Sequence, residues 1–195
     1  FAGEAMPAKQ LRYWMERLPS ARFANLYGPT EITVDCTFMV LTPDDIADDI
    51  VPIGKACRNT EILILNDKDR PCVSGEIGEL CVRGSSLALG YWRAPDRSDP
   101  VFVQNPLHND YRDLIYRTGD LCEWRTDGNI LFHGRKDSQI KHMGYRIELG
   151  EIEITAGSHA AVRRCAVVYD SGKSEIILFL ELETPLEKGE MQRHL

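Results

Sequence analysis

The chain has no excess of positive charge: 30 Asp and Glu stand against 23 Lys and Arg, a net charge of -7 over 195 residues. A basic face for nucleic acid, or for an anionic membrane, is therefore not expected. No apolar run approaches the roughly 20 residues that a membrane-spanning helix needs. The six cysteines include no C-x-x-C pair and stand within apolar, strand-like runs. That argues against a zinc site or a disulfide framework and fits small buried hydrophobes in a reducing cytoplasm. The five histidines show neither H-x-x-x-H nor H-x-H spacing, so no metal is assigned to them. Internal repeats and low-complexity tracts are absent. The stretch Phe1–Pro7 has no initiator Met and no signal-peptide pattern, and it reads as the interior of a domain.

What remains is an ordinary globular composition, 43% hydrophobic and 27% charged, on a chain long enough to bury a core. Residues 7–18 read as a helix with Pro7 in its first turn and Leu11, Trp14, Met15 and Leu18 on one face. A strand is expected at 22–26, a turn at Tyr27-Gly-Pro29, and another strand at 32–41. An acidic loop follows, to Asp49. From Ile53 to Phe132 the pattern is short strands and turns: 61–65, 79–83, and a hairpin of 120–124 with 130–133 around Thr126-Asp-Gly-Asn129. Many short strands with Asp-Gly turns suggest a small barrel or curled sheet. A break falls near 134–141. After it come a helix at about 149–160, strands at 164–169 and 175–182, and a polar tail from Thr184 expected to fray.

Four segments fit one chemistry when taken together. They are Asn25-Leu-Tyr-Gly-Pro-Thr-Glu31, Gly78-Glu-Leu-Cys-Val-Arg-Gly84, Tyr116-Arg-Thr-Gly-Asp-Leu121, and Gly134-Arg-Lys-Asp-Ser-Gln-Ile-Lys141 running into Gly144-Tyr-Arg-Ile-Glu-Leu-Gly-Glu-Ile-Glu153. Each alone has a plain structural reading. The first could be a Gly-Pro turn with a capping Thr and a solvated Glu, and Asp120 could be a turn residue. In this order and spacing they resemble the adenylate-forming (AMP-binding) enzymes, specifically the amino-acid adenylation domains. Those enzymes join a carboxylate to AMP using ATP and pass the acyl group to a thiol.

The resemblance implies an α+β fold. A distorted β-barrel subdomain, ending the large adenylation subdomain, would cover 1–136. A hinge and the start of a small α+β C-terminal module would cover 137–195. It gives the adenine to Tyr27 and Asn25, with Gly3 and Glu4 beside it and Gly28 bringing backbone close to the nucleotide. It gives the α-phosphate to Thr30, both ribose hydroxyls to Asp120, and Mg²⁺ to Glu31. Phe132 stands where the family often has a Tyr near the ribose, and Arg135 is a fixed cation suited to a phosphate or a carboxylate. Ala2, Leu26, Val34 and Asp35 would line part of the acyl pocket. Asp35 either meets a polar or cationic group of the substrate or faces solvent from a strand edge. Asp137 falls in the hinge, and Gly144 in the loop lining the thiol tunnel. Gly78–Gly84 and Leu89-Gly-Tyr-Trp92 are signatures read as architectural.

The same resemblance places the phosphate loop upstream of Phe1 and the catalytic Lys near the end of the C-terminal module. Lys188 has no family context around it, so no catalytic residue is assigned. The expectation is an ATP/AMP- and Mg²⁺-using ligase acting on an amino acid and a phosphopantetheinylated carrier protein in the cytoplasm, with this chain alone inactive. Asn105–Asp113 keeps two parents open, a nonribosomal peptide synthetase module and a D-alanine–carrier-protein ligase. An acyl-CoA synthetase is a further alternative, against which Arg146–Leu149 argues. A non-catalytic nucleotide-binding or docking piece is the reading from another class.

Overall fold

The computed structural model describes residues 1–4, 6–46, 50–137, 139–186 and 189–195. Ala5, the end of the acidic run, Ser138 and Lys188 lie outside the described residues. The chain divides into two compact units, Phe1–Lys136 and Asp137–Leu195.

The first unit opens with helix α1 (Ala8–Arg17). Pro7 sits just before it with an extended backbone, and its carbonyl accepts the Leu11 N–H at 3.1 Å. The buried stripe is narrower than the sequence suggests. Ala8 and Leu11 pack with Leu41 and Ile46, and Met15 continues the same face. Trp14 and Leu18 are about half exposed, at 50% and 47%. At about 100° per residue Ala8, Met15 and Leu11 fall within one narrow arc and Trp14 lies beyond its edge, while Leu18 is the C-cap, already out of the helix at φ -125° and ψ 63°.

Strand β1 (Phe23–Tyr27) pairs antiparallel with β2 (Thr37–Leu41), which pairs with the short β3 (Lys55–Ala56). The long strand expected at 32–41 is shorter. Residues Thr30–Ile32 form a 3₁₀ turn, and Thr33 and Val34 then take positive φ of 62° and 84°. Two β-branched residues in that region are costly, and no sequence signal announces them. The loop closes where Cys36 N–H donates to the Tyr27 carbonyl at 2.8 Å.

The curled sheet that follows has five strands. Its order is β4 (Thr60–Leu65), β5 (Gly78–Gly84) and β7 (Leu114–Trp124), with β6 (Phe102–Gln104) and β8 (Ile130–Arg135) sharing the far edge of β7. Helix α2 (Pro95–Ser98) precedes β6. Strand β5 is buried on both faces: Leu80 and Val82 enter a cluster with Ile62, Ile64, Tyr116 and Ile130, while Cys81 joins Leu65 and Ile115. Burying each large aliphatic side chain here contributes about 1.5–3 kcal/mol. Strand β7 begins earlier than expected and is bulged against β5, since Glu79 faces Leu121 and Cys81 faces Arg117.

The second unit starts with a hairpin the sequence reading missed, β9 (Gln139–His142) with β10 (Tyr145–Glu148). Its two turn residues, Met143 and Gly144, have φ of 51° and 82°, the twist that two-residue hairpins favour. Helix α3 (Leu149–Gly157) follows, then the antiparallel pair β11 (Val162–Asp170) and β12 (Glu175–Leu182). The tail is not frayed throughout. Residues Glu190–His194 form helix α4, and the His194 ring lies 3.0 Å from Ser158 Oγ and from the Thr155 carbonyl.

Candidate functional site

The site is built where β1, β7 and β8 present polar side chains from an apolar surround. Asp120 lies in β7 opposite Arg135 of β8. Its side chain is only 10% exposed. One carboxylate oxygen accepts the Tyr27 hydroxyl, and the other accepts Arg135 Nη1 at 2.8 Å. Arg135 also donates to the Thr118 carbonyl at 2.9 Å. Phe132 packs against Tyr27 with ring centroids 6.3 Å apart. Four of the expected nucleotide residues, Tyr27, Asp120, Phe132 and Arg135, thus form one cluster from segments a hundred residues apart in sequence.

Burial, reinforced by the Asp120 charge, pushes the Tyr27 hydroxyl well above its usual range. It therefore remains a donor throughout the neutral range. Burial pushes the neighbouring Cys36 thiol up to about 12 and raises that of Cys122 as well. These thiols add no charge near the carboxylate at neutral pH. All six cysteines are unpaired.

Glu31 sits on a second carboxylate centre in the same unit. It is 6% exposed, its Oε1 accepts the Tyr91 hydroxyl at 2.5 Å, and its carbonyl accepts Ala88 N–H at 2.8 Å. Among the described residues no group of three or more His, Cys, Asp or Glu is arranged to hold a metal by itself. Thr30 is exposed beside it on the 3₁₀ turn. Gly28 is required by a close approach: a Cβ there would stand 2.3 Å from the Val34 carbonyl oxygen and 2.7 Å from Asp35 Cα. The glycine therefore lets the Val34–Asp35 loop fold back on the Gly-Pro turn.

Asn25 stands at the centre of β1. It is 6% exposed, and its Nδ2 donates to the Pro52 carbonyl at 2.8 Å. Ala2, Gly3 and Glu4 are exposed beside β1, where Phe1 exchanges backbone bonds with Ala24 and Leu26. Leu26 and Asp35 are half-buried, and Val34 is 64% exposed. In the second unit Asp137 Oδ1 accepts Gln139 N–H at 3.1 Å, and Gly144 is exposed at the hairpin tip. A broad groove of about 710 Å³, lined in part by Asn59, Glu61, Arg83, Leu87, Leu89 and Asp113, includes none of the residues around Asp120.

Two supporting residues escaped the sequence reading. Tyr91 holds Glu31, and Glu79 accepts the Gly119 N–H at 3.0 Å, one residue before Asp120. Both lie in the segments read as architectural, which was the available signal.

Residues 1–92 match the family model described as AMP-binding enzyme. Tyrocidine synthase 1 of Brevibacillus parabrevis is 41% identical over 167 residues, covering 86% of this chain and 15% of that protein. The chain is thus similar to the AMP-binding, adenylate-forming family. The chain also aligns with solved structures. IdnL1 superposes with a TM-score of 0.91 at 30% identity over 100% of this chain and 40% of that one. PA1221, an NRPS protein containing adenylation and PCP domains, gives 0.81 at 30% identity over 93% of this chain and 37% of that one. The chain therefore spans well under half of these relatives. Among the described residues no helix is long and apolar enough to cross a membrane.

Proposed function

We propose that this chain supplies the nucleotide floor of a ligase that activates an amino acid with ATP and passes it to the phosphopantetheine thiol of a carrier protein. The observation carrying this reading is the Tyr27–Asp120–Arg135–Phe132 cluster, in which a buried carboxylate is held between a hydroxyl and a guanidinium beside two aromatic rings. A carboxylate so placed can accept the two vicinal hydroxyls of a ribose, exchanging the Tyr27 and Arg135 contacts for ligand contacts. The Tyr27 ring offers a face for adenine, and Arg135 is a fixed cation for a phosphate oxygen. Asn25 is engaged with Pro52, so it supports the adenine site by holding β1 in place.

Thr30 is the hydroxyl donor for the α-phosphate. Glu31 fits Mg²⁺, because a magnesium ion held mainly by phosphate oxygens takes only one or two protein carboxylates. The ion, when bound, neutralises phosphate charge. The chain's own part is to aim Glu31 through Tyr91. Ala2, Leu26, Val34 and Asp35 form one side of the acyl pocket. Asp137, the first residue of the second unit, is the hinge, and Gly144 lies on the thiol path. The PA1221 likeness and the tyrocidine synthase relative support a carrier-protein acceptor. Unpaired thiols and ATP use support a cytoplasmic setting. None of this chain's residues is assigned to a phosphate loop or a catalytic Lys, and the chain alone is expected not to adenylate.

Calorimetric titration with AMP and Mg²⁺ tests the reading. Wild type is expected to bind AMP and Asp120→Ala to lose it by about tenfold or more, the worth of a hydrogen bond to a charged group. Equal binding by a folded Asp120→Ala protein, or pyrophosphate exchange by the wild-type chain, would contradict it.

A further inference from the structure

We infer that Glu79 is a positioning residue for the ribose-binding carboxylate and acts through the Gly119 peptide; this rests on the reading of Asp120 given above. Strand β5 is otherwise apolar where it is buried, with Leu80, Cys81 and Val82 all at 1% exposure or less. Glu79 stands in the same run at 7%. A carboxylate placed there is costly unless every lone pair is used. Each oxygen is indeed engaged. Oε1 accepts Gly119 N–H at 3.0 Å, and Oε2 accepts Arg117 Nη1 at 2.9 Å and Lys136 Nζ at 2.8 Å. Arg117 is also paired with Asp69. One carboxylate thus ties together residues from three segments, Gly78–Gly84, Tyr116–Leu121 and Gly134–Lys141.

The register explains why such a tie is needed. Between the pairs Glu79–Leu121 and Cys81–Arg117, β5 advances two residues while β7 advances four. The surplus is taken up at Thr118, Gly119 and Asp120. A bulge of this kind re-aims a side chain but loses ladder hydrogen bonds. The lost bonds are replaced here by side chains. Thr118 Oγ1 donates to the Leu80 carbonyl at 2.7 Å and accepts Asp120 N–H at 3.0 Å. Gly119, at φ +76°, is gripped on both sides, by Glu79 at its N–H and by the Lys136 N–H, 2.9 Å from its carbonyl. The Asp120 carboxylate is aimed by the peptide that Glu79 holds.

The test uses AMP and 2′,3′-dideoxy-AMP as probes of this protein, its Asp120→Ala variant, and Glu79→Ala and Glu79→Gln. The readouts are the AMP-to-dideoxy affinity ratio and hydrogen exchange at the Gly119 amide. The proposal expects Glu79→Ala to lower the ratio by about tenfold and to speed Gly119 exchange. Glu79→Gln keeps an acceptor for Gly119 and is expected to restore most of both. Should Glu79→Ala fail to fold, Glu79→Met, which fills the volume without that acceptor, is read by the same criteria. A wild type with no preference for AMP removes the ribose reading and this proposal with it. A preference abolished by Asp120→Ala but kept by a folded Glu79→Ala or Glu79→Met, with Gly119 exchange unchanged, overturns the positioning role alone.

Discussion

Replacing Tyr27 by Phe removes one oxygen and leaves the ring that packs on Phe132, so the hydroxyl contact can be isolated. In the folded chain that hydroxyl donates to a carboxylate that is 10% exposed and also accepts from Arg135. A hydrogen bond to a charged group contributes about 1.5–3 kcal/mol, and Asp120 would lose that donor while keeping the Arg135 guanidinium. For a unit of this size each kcal/mol moves the melting temperature by roughly 3–4 °C. Tyr27→Phe is therefore expected to melt several degrees lower by calorimetry at pH 7. The pH dependence gives a second handle. Tyr27 keeps its proton to higher pH folded than unfolded. Its contribution is whole below about pH 10, the unfolded value, and is lost as pH rises through the raised folded value. The gap between wild type and variant should thus be constant near neutrality and close in strong alkali. Tyrosinate absorbance around pH 10 should be the same for both proteins, because Tyr27 does not ionise there. Equal melting at pH 7, or loss of one ionising tyrosine near that pH in the variant, would refute the reasoning.

Gly28→Ala places a methyl 2.3 Å from the Val34 carbonyl oxygen; overpacking against backbone costs about 1–3 kcal/mol, and urea unfolding should show a loss in that range. Asp113 offers an acid-side test. Burial raises its pKa, but hydrogen bonds from Asn105, His108 and Arg83 outweigh that and hold it below the usual carboxylate range. Its stabilising effect is present above about pH 4, the unfolded value, and fades as pH falls through the lower folded value. Asp113→Asn should therefore be less stable than wild type at pH 7, and the difference should shrink in acid-unfolding curves.

The curled sheet and the chain's division near 136 follow from features a sequence displays: period-two runs, Asp-Gly turns, and a change of pattern after β8. The residues proposed for the nucleotide stand in short motifs that place distinctive side chains in a fixed order, and the structure brings Tyr27, Asp120, Phe132 and Arg135 together. What sequence could not show is where each polar atom finds its partner. Asn25 looks like a base-reading amide, yet the Pro52 carbonyl lies within its reach only once β3's approach is known. Glu79 and Tyr91 sit in segments whose glycines suggested turns, and their contacts are 40 and 60 residues distant in sequence. The 3₁₀ turn with Thr33 and Val34 at positive φ defeated a β-branched pattern that otherwise reads as strand. The hairpin of β9 and β10 was hidden because its turn is Met-Gly, not the Asn-Gly or Asp-Gly that usually marks one. Helix α4 is short and polar, so only its contacts with α3 reveal it.

The most direct test of the nucleotide floor is amide chemical-shift mapping of this chain with AMP and Mg²⁺. The account predicts the largest changes at Tyr27, Gly119, Asp120, Phe132 and Arg135, with smaller ones at Thr30 and Glu31. Changes confined to the groove around Asn59, Arg83 and Leu89, or no change at Asp120 under saturating AMP, would contradict it.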